Sequence, residues 1–306
     1  MKIQRIARKT QKHPMPAWLV QALFLLVVGF CVTASPIVGQ VKTVKSLPVD
    51  KMQNEGLVLL EEYKTPGSEV ELSGIYPHPS NDNWYFVAAN SNPAYREGEK
   101  PVLPAKYRGK LLTVDRKTGN IIKAFDLVKG MYGGIGYGDG SLFISSVEPA
   151  EVLQVNPESG KIMRRIPLSS PAGGLKYDKE RSMLIAQLFI GFPHLAVVEL
   201  KTGATVQTLW SDESAMDIAH VNGDLLCTWA SGFDKHAMSE LRLLDPETGK
   251  VIGRTPLEGG VHSSMAPLDK QVAGVDGFIC LVADRNTGKT SIRRYSYNKN
   301  MVNWRS

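Results

Sequence analysis

The chain has 306 residues, of which 43% are hydrophobic, 8% aromatic and 22% charged, a composition that excludes an intrinsically disordered chain, a collagen-like repeat and a polytopic membrane protein. The formal charge is +6, but five of the 36 basic residues (Lys2, Arg5, Arg8, Lys9 and Lys12) fall in the first 34 positions, which hold no acid, and the remainder carries 31 basic against 30 acidic residues. No basic face survives that subtraction, and no Lys/Arg cluster interleaves with aromatics, so nucleic acid is not an expected partner.

The first predicted element is an address. A basic stretch ends near Pro16, an apolar run extends from Ala17 to Val32, and the small pair Thr33 and Ala34 follows. That is the order of a secretory signal, with Val32 and Ala34 suited to cleavage before Ser35. The run is also at the short limit of a membrane span, so an uncleaved anchor is the alternative. Bases before the run and none just after it place the body outside the cytoplasm in both cases, periplasmic, secreted or held at the membrane by this segment alone. A lipoprotein is excluded because the bulky Phe30 precedes Cys31. Residues 35–55 read as a linker and 56–306 as one domain.

That domain is organised by repetition. Five segments, beginning at Leu111, Val152, Leu195, Leu241 and Ile279, read as apolar alternation, a polar turn of the D-x-x-T-G type, and a second alternation. Each is a β-hairpin whose glycine supplies a positive φ. The turn glycines Gly119, Gly160, Gly203, Gly249 and Gly288 are 41, 43, 46 and 39 residues apart, and a period near 42 is one four-stranded propeller blade. Upstream of each hairpin lies a small-residue motif that opens an apolar strand: Ser73-Gly74-Ile75, Gly133-Gly134-Ile135, Gly173-Gly174-Leu175, Met216-Asp217-Ile218 and Ser263-Ser264-Met265. Small residues suit innermost strands, which crowd together at a propeller axis. Second strands follow from Trp84, Ser141, Ser182 and Asp224, with a weak one, VAGVDG from Val272, in the fifth blade. The run LVLLEEYK, ahead of the first blade, reads as a strand that closes the ring and removes exposed edges. The expected fold is therefore an all-β propeller of five, or with degenerate pieces six, blades, with little helix.

Two insertions interrupt the regularity. SNPAYREGEKPVLPAKYRG (91–109) separates the second and third strands of blade one, and ASGFDKHAMSE (230–240) occupies the same place in blade four. Long loops in compact domains are functional or disordered, and both loops are expected to rise over the same rim. Cys227 and Cys280 have an oxidising compartment in which to pair, but the contexts LLCTW and FICLV suit buried strand cysteines instead.

The turns DPETGK (245–250) and NPESGK (156–161) resemble those of quinoprotein-like and lactonase-like β-propeller repeats. This resemblance implies fold and not activity, because the turn recurs across propellers of unrelated function. Phe125, Ile166, Leu209 and Thr255 stand where quinone-binding repeats carry tryptophan, so a quinone is not implied, and a redox partner lacks the C-x-x-C-H of a haem site. ELSGIYPHP, from Glu71, is similar to the opening of extracytoplasmic phytase-esterase-like propellers. Gluconolactonase-like and glutaminyl-cyclotransferase-like propellers are similar in architecture, without the E-G-P opening of the first or a counterpart of the second's acidic site.

Propeller chemistry gathers at the channel mouth, where inner strands begin. There Asp217 replaces the glycine or serine of other blades, and a carboxylate near the axis must be solvated, paired or bound to a cation. His262, Tyr132 and Glu71 precede three other inner-strand motifs, and Ser73 opens the first. Asp217 and Glu71, with His262, would form an oxygen and imidazole set suited to calcium or a similar divalent ion. Asp217 or His262 would then accept a proton in lactone or ester hydrolysis. Asn90, Glu148 and Trp229, at second-strand ends, are candidate ligand contacts. No serine elbow, H-E-x-x-H helix or phosphate-binding glycine loop is present. The first expectation is an exported, non-catalytic propeller that binds a small ligand, glycan or partner protein at the rim; the alternative is the metal-dependent hydrolase.

Overall fold

The computed structural model describes residues 56–65, 72–88, 109–127, 132–188, 194–210, 215–231, 237–268, 276–284 and 290–305, and over them the secondary structure is strand and turn without helix. Five four-stranded antiparallel sheets are the five blades. Blade one is β2 (Leu72–Pro77), β3 (Asn83–Ala88), β4 (Lys110–Asp115) and β5 (Ile121–Asp126). Blade two is β6 (Tyr132–Gly138), β7 (Ser141–Ser146), β8 (Glu151–Val155) and β9 (Ile162–Pro167). Blade three is β10 (Ala172–Asp178), β11 (Met183–Leu188), β12 (His194–Glu199) and β13 (Thr205–Trp210). Blade four is β14 (Asp217–Val221), β15 (Asp224–Ala230), β16 (Ser239–Leu244) and β17 (Val251–Leu257). Blade five runs β18 (Val261–Pro267), β19 (Gly277–Ala283) and β20 (Thr290–Tyr297), and its outermost strand is β1 (Leu57–Lys64) from the other end of the chain. The inner strands touch in the cycle β2, β6, β10, β14, β18 and back to β2, which closes the ring at five blades.

The closure expected of LVLLEEYK is therefore observed: β1 pairs antiparallel with β20 from Leu57 opposite Tyr297 to Lys64 opposite Ser291. One assignment is corrected by it. The hairpin that begins at Ile279 joins the second and third strands of blade five, not the third and fourth, and the second strand is GFICLVA rather than VAGVDG. The cause is that β1 fills the fourth place, so the hairpin after β18 sits one strand further inward than the repeat pattern expects.

The repeated turn is held by its own side chains. Asp115 accepts the Thr118 backbone N–H at 2.7 Å and its hydroxyl at 2.8 Å, and Asp245 treats Thr248 likewise at 2.8 and 3.0 Å. Asn156 does the same for Ser159, so the acceptor, hydroxyl and glycine of D-x-x-T-G each have a mechanical task. The glycine has a second one. A Cβ on Gly160 would strike Phe125 of the preceding blade, and one on Gly249 would come within 2.8 Å of Leu209 Cβ. Each turn is thus a contact with its neighbour, reinforced by Lys123 on Glu158 at 3.0 Å and by Gln207 on the Glu247 carbonyl at 3.2 Å.

The core lies between blades. Ile75 and Phe86 of blade one meet Ile279 and Leu281 of blade five, Ile144 of blade two meets Val87 and Leu111 of blade one, and the other three seams are filled the same way. Alternate residues of each strand feed the two flanking seams, as a sheet buried on both faces requires. Cys227 and Cys280 sit in two of these clusters as buried thiols, with no disulfide between them.

Candidate functional site

Antiparallel topology assigns an end to each feature. The inner strands begin at one end of the channel, where the β3–β4 and β15–β16 connections also lie. The β2–β3 turn and the D-x-x-T-G turns lie at the other. The small residues of the first end are in backbone contact across blades: a Cβ on Gly74 would lie 2.9 Å from the Gly133 carbonyl oxygen, and one on Gly174 would lie 2.5 Å from Asp217 Oδ1. Register shifts between inner and second strands occur at this motif in blades one, two, three and five. In blade four Asp217 pairs regularly with Thr228.

Asp217 is 2% exposed. Its Oδ1 accepts the Ile218 N–H at 2.8 Å, and its Oδ2 accepts the Ser264 hydroxyl at 2.8 Å and the Met265 N–H at 3.0 Å. A fourth donor is the Leu175 N–H. The carboxyl group thereby ties blade four to blades three and five. The seam continues through Ser264 Oγ, which accepts the Ile75 N–H of blade one at 3.3 Å, and in the other direction Ser145 of blade two donates to the Gly173 carbonyl at 2.7 Å. Burial pushes Asp217 up to about 7, against the pull of its donors.

His262, fully buried, lies on the same strand as Ser264 but turns to other partners: Nε2 is 2.8 Å from the Tyr295 hydroxyl, and its N–H is held by Ser239 Oγ at 3.1 Å. Burial, and then the Asp217 charge, push the Cys280 thiol up. Tyr132 is 1% exposed with no hydrogen-bond partner for its hydroxyl, and burial raises its pKa. Ser73, half-buried, donates to the Val87 carbonyl at 3.2 Å. Glu148 is exposed after β7, before a cis bond to Pro149. Trp229, on β15, carries the Arg242 guanidinium 4.1 Å above its ring, and Glu240 binds that guanidinium from β16 at 2.9 and 3.0 Å. Glu71, Asn90, residues 91–108 and residues 232–236 of the two insertions lie outside the described residues. Among the described residues no three His, Cys, Asp or Glu side chains converge as a metal set. The seam partners Ser264, Tyr295 and Leu175 escaped sequence reading, as did Lys176 on β10, which burial pulls down to about 7.

The opposite end holds a cleft of about 290 Å³ at the junction of blades one, two and five. Its walls are Tyr76 and Tyr137 with ring centroids 6.0 Å apart, Trp84, Pro267 and Leu268. Its charged groups are Arg116, Arg294 and Asp82. Asp82 holds Arg116 at 3.2 Å, and Arg116 also lies 5.8 Å over the Tyr63 ring, which meets Trp84 edge to face. Glu61 holds Arg294 at 2.8 Å. His78 stacks on Tyr85 at 4.9 Å, and burial lowers its pKa despite Glu158 at 3.6 Å. Its Nδ1 accepts the Ser80 N–H at 3.2 Å, and the Asn81 side-chain amide lies 3.3 Å from Nε2. The sequence signal for this site was the proline- and polar-rich turn PHPSNDN between two apolar strands.

No family model matches the chain, and no curated protein matches it. Solved structures do. A glutaminyl cyclase from Myxococcus xanthus is similar with a TM-score of 0.55 at 13% identity, covering 78% of this chain and 95% of that one. A tail fibre of the Staphylococcus aureus phage P68 is similar with a TM-score of 0.55 at 12% identity, covering 92% of this chain and 56% of that one. At such identities the likeness is one of fold.

Proposed function

We propose that this protein is an exported propeller that acts by binding a small ligand, glycan or partner protein, without catalysing a reaction. The observation that supports binding over hydrolysis is the engagement of Asp217. A carboxylate offers about four lone-pair sites, and four donors from three blades already address this one. A group so placed is a staple for the ring, and moving it toward a substrate would unpair buried N–H groups, each costing roughly 1–3 kcal/mol. In this reading the insertions at 91–109 and 230–240 are the partner-binding rim and the N-terminal segment is the route out of the cytoplasm.

The test is a comparison of the exported, purified protein with Asp217→Asn and with a variant lacking residues 91–108. The binding reading expects a mature N-terminus at Ser35 or an intact anchor, no divalent ion that depends on Asp217, and loss of partner capture in the loop deletion alone. A stoichiometric ion and lactone or aryl-ester hydrolysis, both lost in Asp217→Asn, would replace it with the hydrolase.

A further inference from the structure

We propose that the cleft between blades one, two and five is a binding site for a small organic anion, a carboxylate with a flat apolar body, entered from the end of the channel opposite the long loops. This inference rests on the binding reading and gives it a ligand class.

Size comes first. A volume of about 290 Å³ is at the lower end of small-molecule pockets and too small for a folded partner or an extended glycan. The lining then divides into two chemistries. Tyr76, Tyr137, Trp84, Pro267 and Leu268 give flat apolar walls contributed by three blades, which suits a planar body. The polar groups are dominated by donors. Arg116 and Arg294 are both at the cleft, and only one carboxylate, Asp82, lies there with them. The carboxylate that restrains Arg294, Glu61, belongs to the closure strand outside the lining. Burial favours the neutral form of His78, so it does not add to their positive charge. Trp84, which is 2% exposed, leaves its indole N–H without an acceptor, and Arg116 leaves its Nε likewise. A cation would meet two guanidiniums here, so an aromatic cage for ammonium groups is not what this lining makes. A carboxylate meets a guanidinium already oriented by Asp82 and the Tyr63 ring, so little ordering is left to its arrival.

The experiment is titration of the full protein with phenylacetate, indole-3-acetate and hexanoate, each beside its primary amide, followed by calorimetry and by Trp fluorescence. Saturable binding is expected for at least one aryl carboxylate, at least tenfold tighter than for its amide and weaker as salt rises. Arg116→Ala is expected to weaken it tenfold or more, and Leu268→Trp, which fills the cleft without touching a charge, to abolish it. Arg116 is partly exposed in the β4–β5 turn, and the unfolding midpoint of the variant checks that its loss spares the fold. The proposal falls if no carboxylate binds at millimolar concentration, if amides bind as well as acids, or if both variants bind like the parent. Hydrolysis lost in Asp217→Asn would overturn the binding reading at the other end of the channel while leaving this titration to be read on its own.

Discussion

Asp217 shows how one side chain sets a property of the ring. All four neighbours in contact with its oxygens donate, so the ionised form is fully bonded, yet burial raises its pKa from 3.8 to about 7. Neutralisation is accommodated because the Ser264 hydroxyl can reverse and accept. A raised folded pKa means that the folded state binds the proton more tightly than the unfolded chain does. This contribution to stability is therefore complete below pH 4 and is lost as pH rises through 7, by on the order of 4 kcal/mol. In Asp217→Asn that slope disappears, while the amide nitrogen faces a backbone N–H and costs roughly 1–3 kcal/mol. Urea midpoints at pH 5 and pH 8 should show the variant clearly weaker at pH 5 and closer to the parent at pH 8. A difference that does not change with pH would show that Asp217 does not titrate in this range. The sequence marked this residue as exceptional because it breaks a series of glycines and serines. It did not reveal that the carboxyl group is consumed by three blades, because backbone donors such as Leu175 and Met265 leave no trace in residue type.

Among elements, the C-terminal segment does work that the repeat pattern does not announce. Lys123, Arg164 and Gln207, the third residues of β5, β9 and β13, reach the turn of the following blade. The third residue of β17 is Gly253, and the Trp304 ring packs there instead, with a Cβ at that glycine 3.0 Å from the indole. Arg254 and Arg305 exchange backbone hydrogen bonds of 2.9 and 2.8 Å, so the tail makes a single antiparallel bridge to the outer strand of blade four. Trp304→Ala should lower stability by about 1–3 kcal/mol, as expected for a half-buried aromatic, and should raise hydrogen exchange at Arg254 before any other strand. An unchanged exchange rate there would mean the tail is an ornament. Strand and hairpin periodicity made blades one to four readable almost to the residue. Blade five was misread by one strand because its fourth member is supplied from 230 positions away, and local alternation carries no information on such pairing.

At the scale of the molecule, closure joins the two ends of the chain. Beyond the β1–β20 ladder, Arg293 bonds Glu62 at 3.2 Å and Arg294 bonds Glu61 at 2.8 Å, and Leu60 is 5% exposed. Leu60→Asp places an unpaired carboxylate in that seam and should cost at least about 3 kcal/mol. If the ring is one cooperative unit, fluorescence and circular dichroism will still lose structure together at a lower midpoint; separate transitions would show that the other four blades stand without closure. The fold class was legible because five copies of one turn repeat near a fixed period. The cleft was not, since its walls come from three blades whose shared position only the closed ring defines.

The same closure dictates an order of events during synthesis. Leu57–Lys64 is made before every other described strand and its partner Thr290–Tyr297 after them, so β1 has no strand to pair with until the rest of the propeller has been synthesised. Contacts of such long sequence separation form late and slowly. A ring that cannot lock shut until its last strand appears completes its folding late, and β1 acts as a timer as much as a clasp.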